Sequence, residues 1–149
     1  MQSAWLNLRR RRYFIGPYSD TPHITLIGPP PYHVLAQACA PDELGRTIRF
    51  ALEASQEESV SADDIVRLAE DRTLALARLA GVKDRQTFER GARLVSFEGV
   101  RANEILVTPN FRKRGYWEPA PESRWSRLLR PSDAELGRAA VEAADAATA

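Results

Sequence analysis

Apolar positions recur with two periods along this chain, and the change of period marks out its elements. Over residues 1–40 they come in short runs: Trp5–Arg10, Arg12–Tyr18, His23–Ile27 and Tyr32–Gln37. Each run is rich in β-branched or aromatic residues and punctuated by Gly or Pro, which predicts strands. Gly28-Pro29-Pro30-Pro31 lacks the donors a ladder needs and predicts a turn or an edge connection. From Pro41 the period lengthens. Leu44, Ile48, Ala51, Leu52 and Ser55 share one face of a helix predicted over Pro41–Ser55, with Pro at its first position and Asp42 and Glu43 in its first turn. A second helical region is predicted over Ala62–Ala80, capped by Ser61, closed by Gly81 and striped by Ile65, Leu68, Ala69, Leu76 and Leu79. Arg72 interrupts that stripe, so a break into two shorter helices is expected near Asp71–Thr73. Asp84 starts a further short helix that Gly91 stops.

Strand periodicity then returns. Leu94–Glu98 and Glu104–Thr108 read as a hairpin joined through Gly99–Asn103. Residues 109–123 contain Pro109, Gly115, Pro119 and Pro121 and read as irregular, and Trp125–Leu129 reads as a strand. A last helix starts after Ser132, where Ser132 and Glu135 spell a capping box.

Two helix starts repeat each other. Asp42-Glu43-Leu44-Gly45-Arg46 and Ala134-Glu135-Leu136-Gly137-Arg138 share Glu-Leu-Gly-Arg, each following a candidate strand. A glycine inside a helix costs about 1 kcal/mol against alanine, so Gly45 and Gly137 point to a shared need for close backbone approach. The simplest expectation is that each helix lies tightly on a sheet, with Leu44 and Leu136 beside the contact. The fold expected is α+β: one domain over residues 1–149, a central, mostly antiparallel sheet flanked by helices, with two similar strand–helix units in the N-terminal third and at the C-terminus.

Composition narrows the function. The 149 residues are 44% hydrophobic and 28% charged, near globular averages, and the net charge of +1 argues against a dedicated nucleic-acid binder. Cys39 is the only cysteine, so neither an internal disulfide nor a thiolate metal site is expected, which suits a reducing cytosol. Arg9–Arg12 followed by Tyr13 and Phe14 faintly resembles a twin-arginine signal, but Gly16, Pro17, Asp20 and Pro22 break the stretch where its apolar core belongs. No apolar run approaches the ~20 residues of a membrane span, and a cytoplasmic location is expected.

Catalytic chemistry has few candidates. His23 and His33 with Glu98 or Glu104 would make a rudimentary acid–base or metal site, and Cys39 with His33 a nucleophilic pair. The plainer reading is two strand histidines and a small apolar cysteine at the sheet–helix junction. The phosphate-binding, dinucleotide-binding and nucleophile-elbow glycine patterns are all missing. No enzyme activity, cofactor or metal is expected.

Charge is segregated instead. Glu53, Glu57, Glu58, Asp63, Asp64, Glu70 and Asp71 face a single base, Arg67, within one stretch. They are either a solvated face or a surface that docks against a basic groove on a partner. The opposite pole holds Arg9–Arg12 and Arg112-Lys113-Arg114, followed by Tyr13, Phe14, Tyr116 and Trp117. That combination fits single-stranded nucleic acid or, in the 109–123 stretch, a protein-binding hot spot around Arg112, Arg114, Tyr116 and Trp117. Trp5 and Trp125 read as packing residues.

Three segments resemble the contact-dependent growth inhibition immunity proteins of Gram-negative bacteria. They are Tyr13-Phe14-Ile15-Gly16-Pro17-Tyr18-Ser19, then Tyr32-His33-Val34-Leu35 leading into Pro41-Asp42-Glu43-Leu44-Gly45, and Ser132-Asp133-Ala134-Glu135-Leu136-Gly137. The resemblance implies a cytosolic, non-catalytic antidote that binds the C-terminal toxin domain of a cognate effector. Such toxins are often nucleases, tRNA-cleaving ones among them. The rival reading is a small nucleic-acid-binding protein that uses the two arginine clusters.

Overall fold

The computed structural model describes residues 2–101 and 103–148. Strands β1 (Ser3–Arg9) and β2 (Arg12–Asp20) form one hairpin, β6 (Arg93–Arg101) and β7 (Glu104–Lys113) another, and β1 lies antiparallel beside β6 between them. The outer edge of β2 is shared by β4 (His33–Ala36) and β3 (Thr25–Ile27). The outer edge of β7 is shared in the same way by β9 (Ser126–Leu129) and β8 (Tyr116–Pro119). A two-residue strand, β5 (Gln56–Glu57), runs parallel to the end of β2.

Alternation along the strands makes two cores, one on each face. Ala4, Leu6, Tyr13, Ile15, Val95, Phe97 and Val107 meet Leu44 and Ile48 of α1 (Pro41–Glu53) and Leu136 and Ala140 of α4 (Asp133–Ala146). Trp5, Phe14 and Leu94 turn the other way, toward Leu76 and Ala77 of α2 (Ala62–Leu79) and Phe88 of α3 (Arg85–Glu89). This is the α+β arrangement expected, a mostly antiparallel sheet with helices on both faces.

The close approach that Gly45 and Gly137 require is helix against helix, which corrects the expectation of helix against sheet. A Cβ on Gly45 would collide with the carbonyl oxygen of Asp133 and sit 2.6 Å from its carbonyl carbon; a Cβ on Gly137 would meet the Pro41 carbonyl in the same way, again 2.6 Å from the carbon. The first turn of each helix thus rests on the glycine of the other. Arg49 adds a strut across the crossing, bonding the Asp133 carboxylate at 3.0 Å and the Pro131 carbonyl at 2.7 Å. The capping box forms as read: Ser132 Oγ accepts from the Glu135 N–H, and the Glu135 carboxylate accepts from the Ser132 N–H.

Two further expectations need correction. Helix α2 runs unbroken, because Arg72 does not leave the buried stripe: its guanidinium is gripped by Glu58 at 2.6 and 2.7 Å and donates to the Ile27 carbonyl at 3.0 Å. Residues 109–123 are largely ordered strand. β7 continues to Lys113 and turns back into β8 through Arg114 and Gly115, both at positive φ, the geometry of a two-residue hairpin turn. Pro109 and Pro119 stand at the ends of paired stretches, where a missing N–H costs little.

Candidate partner-binding surface

The acidic stretch is carried on the chain from the end of α1, through β5, into α2. Glu57, Asp63, Asp64, Glu70 and Asp71 are exposed along it. Asp64 accepts from Ser61 Oγ at 3.0 Å and lies 3.6 Å from Arg67, the one base of the stretch. Glu58 behaves differently. Its ion pair with Arg72 ties the segment after β5 to α2, and the hydrogen bonds from Arg72 hold its carboxyl below the usual range. That pair joins two parts of the scaffold. Glu57 and Glu58 also line, with Asp20, a shallow hollow of about 470 Å³.

Helix α2 leans on α3 and β3, which leaves a cleft between these elements and the sheet. Its outer part, about 640 Å³, is lined by Ile24, Ile65, Val66, Glu70, Thr73 and Arg85, among others. Its inner part, about 320 Å³, reaches Trp5, Tyr18, Leu76, Phe88, Glu89 and Trp117. The two parts share Ile24, Ala69, Thr73 and Arg85 and so form one opening. Polar groups fix the inner end. Glu89 lies 3.2 Å from Arg112 and 3.9 Å from Arg85. The Tyr18 hydroxyl, its pKa raised by burial, lies 3.3 Å from Ser96 Oγ, to which Asn110 also donates at 3.2 Å.

The cleft brings together residues that the sequence keeps far apart. Glu70 lines its mouth, Trp117 its inner wall, and Arg112 holds the Glu89 of that wall. Arg114 sits on the β7–β8 turn, and Tyr116, 70% exposed, alternates away from Trp117 to the other face of the strand. Ile24, Val66, Arg85 and Glu89 were not singled out from the sequence. Val66 carried a signal: it is an apolar residue off the α2 stripe, and it stands 62% exposed.

The N-terminal arginine cluster is half consumed internally. Arg9, 5% exposed, donates to the Phe88 carbonyl at 3.1 Å, and Arg12 to the Ala80 carbonyl at 3.3 Å, each at the C-terminal end of a helix where a cation is favoured. Arg10 and Arg11 form the exposed β1–β2 turn. His23 lies in the turn built on Thr21, and His33 stands edge-on to Phe50 at 5.4 Å between ring centres. Cys39 packs against the first core, and burial pushes its thiol up, away from a reactive thiolate. Trp5 is core, and Trp125 is half-buried with its indole donating to the Ala120 carbonyl. Among the described residues no three His, Cys, Asp or Glu side chains group as a metal site, and no helix is long and apolar enough to cross a membrane.

Comparison with solved structures gives the same fold twice. A Neisseria meningitidis protein of unknown function superposes with a TM-score of 0.82 at 19% identity, covering 98% of this chain and 94% of its own. A toxin and immunity complex, CdiA-CT/CdiI, from Yersinia pseudotuberculosis gives 0.80 at 15% identity, covering 99% and 98%. No curated protein matches the chain. The family model described as CDI immunity protein matches residues 3–146, from the first strand to the end of α4. The chain belongs to the CDI immunity protein family.

Proposed function

We propose that this chain neutralises the C-terminal toxin domain of a cognate contact-dependent growth inhibition effector by binding it in the cytoplasm, without chemistry of its own. The family match over residues 3–146 carries this reading. The Yersinia structure of the same fold, itself a toxin and immunity complex, supports it. The geometry suits the task. Inhibition by binding needs fixed groups on a rigid surface, and here a sheet packed on both faces holds α2, whose outer side presents Asp63, Asp64, Glu70 and Asp71, with Glu57 on β5 nearby. A surface of that sign speeds encounter with a cationic groove. Nucleases hold phosphates in such grooves, so on this reading the toxin is a nuclease, and a tRNA-cleaving enzyme falls within that class.

The test is co-expression with the cognate toxin domain, scoring growth rescue and formation of a complex. Reversing charge at Glu57, Asp63 and Asp64 should slow association by about tenfold at low salt and leave dissociation nearly unchanged. Unaltered association would remove the acidic face from the mechanism; absence of rescue and of a complex would end the proposal.

A further inference from the structure

The two halves of the sheet repeat each other well beyond the shared helix start. Residues of the first half correspond to those 92 positions later, as Pro17 to Pro109 and Gly45 to Gly137. β2 meets β3 from Tyr18↔Ile27 to Asp20↔Thr25, and β7 meets β8 from Asn110↔Pro119 to Arg112↔Trp117, the same register displaced by 92 at both ends. The connections match too. The Gly28 N–H donates to the Pro17 carbonyl at 2.7 Å, and the Ala120 N–H to the Pro109 carbonyl at 2.8 Å. The Tyr32 hydroxyl donates to the Gly28 carbonyl, and the Trp125 indole, one position beyond strict correspondence, to the Ala120 carbonyl. Ser19 pairs in parallel with Gln56, and Phe111 with Thr148.

At the centre, the pairs Ala4↔Phe97 and Leu6↔Val95 exchange under the same operation, so a pseudo-two-fold axis passes through the Trp5↔Ser96 pair. The irregularity between Gly99 and Arg101 absorbs the one-residue difference on β6. The reciprocal contacts of Gly45 and Gly137 obey the same axis on the other side of the sheet.

The repeats share a backbone path and a helix crossing, while their side chains mostly differ, as Asp20 from Arg112 and Phe50 from Glu142. Residues 58–92, which carry α2 and α3, lie between the repeats and have no counterpart within them. Their apolar side chains gather on Trp5 and Phe14 of the first half, where the second half has Ser96 and Leu106. The cleft lies where the insert meets the repeats: Trp5, Tyr18 and Trp117 of the repeats wall its inner part together with Leu76, Phe88 and Glu89 of the insert, so it occurs once.

We infer that the chain is an internally duplicated scaffold whose unduplicated insert forms its single partner-specific surface, with Val66, Glu70 and Arg85 at the cleft mouth setting specificity. This rests on the immunity reading. The test compares full-length variants for toxin affinity and stoichiometry by titration calorimetry, with melting temperature as the folding control. One carries Val66→Asp and Glu70→Lys, a second Glu70→Lys alone, and a third Arg46→Glu and Arg138→Glu, exposed equivalent positions on the duplicated helices. The insert variants should bind at least about tenfold more weakly, the size of loss a hot spot gives, while the scaffold variant binds like the parent at one toxin per chain. Weakening by the scaffold variant alone, or two toxins per chain, would overturn the inference while leaving immunity standing. An unmodified chain that binds no toxin would overturn both.

Discussion

Gly45 and Gly137 each accommodate a carbonyl of the opposite helix, so any side chain there must push two backbones apart. Gly45→Leu or Gly137→Leu should lower stability by on the order of 1–3 kcal/mol in urea unfolding, and the double variant by less than the sum, because both residues serve one crossing. The repeated Glu-Leu-Gly-Arg announced a close approach but not its partner: a glycine tolerated against helix propensity says that something is near, while the identity of that neighbour depends on tertiary packing. Glu58 and Arg72 show the same limit. Each looked anomalous in sequence, one a member of an acidic run and the other a charge in an apolar stripe, and each explains the other. Arg72→Met, which leaves Glu58 half-buried and unpaired, should cost about 1–3 kcal/mol, less than for a fully buried pair because the freed carboxylate borders a hollow open to water. The pH dependence has a definite sign. The folded pKa of Glu58 is lowered, so the pair's contribution is complete above about pH 4.3, the unfolded carboxylate value, and disappears as pH falls through the lower folded value. Acid unfolding of the parent and of Glu58→Gln, followed by circular dichroism, checks it: the variant should lose less stability in that window.

At the scale of elements, the local signals were strongest where a cap or a period decides the outcome. α4 begins where Ser132 and Glu135 said it would, and Ser132→Ala should cost about 1 kcal/mol in thermal unfolding. α3 starts after Asp84, whose carboxylate accepts the Thr87 N–H at 2.8 Å. The β7–β8 hairpin was hidden by its prolines, which read as breakers until the ladder shows them at the ends of pairing. Arg114-Gly115, the turn itself, was the available clue. β5 was illegible, because two residues pairing with a distant strand leave no periodicity to detect.

The whole molecule joins a stiff, pseudo-symmetric sheet to one asymmetric insert. The sequence carried its class and its two similar strand–helix units, and the resemblance carried its family. The cleft was beyond reach, since Ile24 comes from the β2–β3 connection, Arg85 and Glu89 from α3 and Trp117 from β8, and their meeting depends on strand order. Arg112 and Trp117 were candidates for a basic-aromatic hot spot; the structure puts Trp117 on the inner wall and pairs Arg112 with Glu89 of that wall, while Arg9 and Arg12 hold helix ends, which removes half of the N-terminal cluster from any surface role. The most direct measurement titrates the purified chain into the active toxin domain and follows the toxin's own activity. Activity should fall in proportion and reach zero at one chain per toxin; activity that persists with the chain in excess would contradict the account.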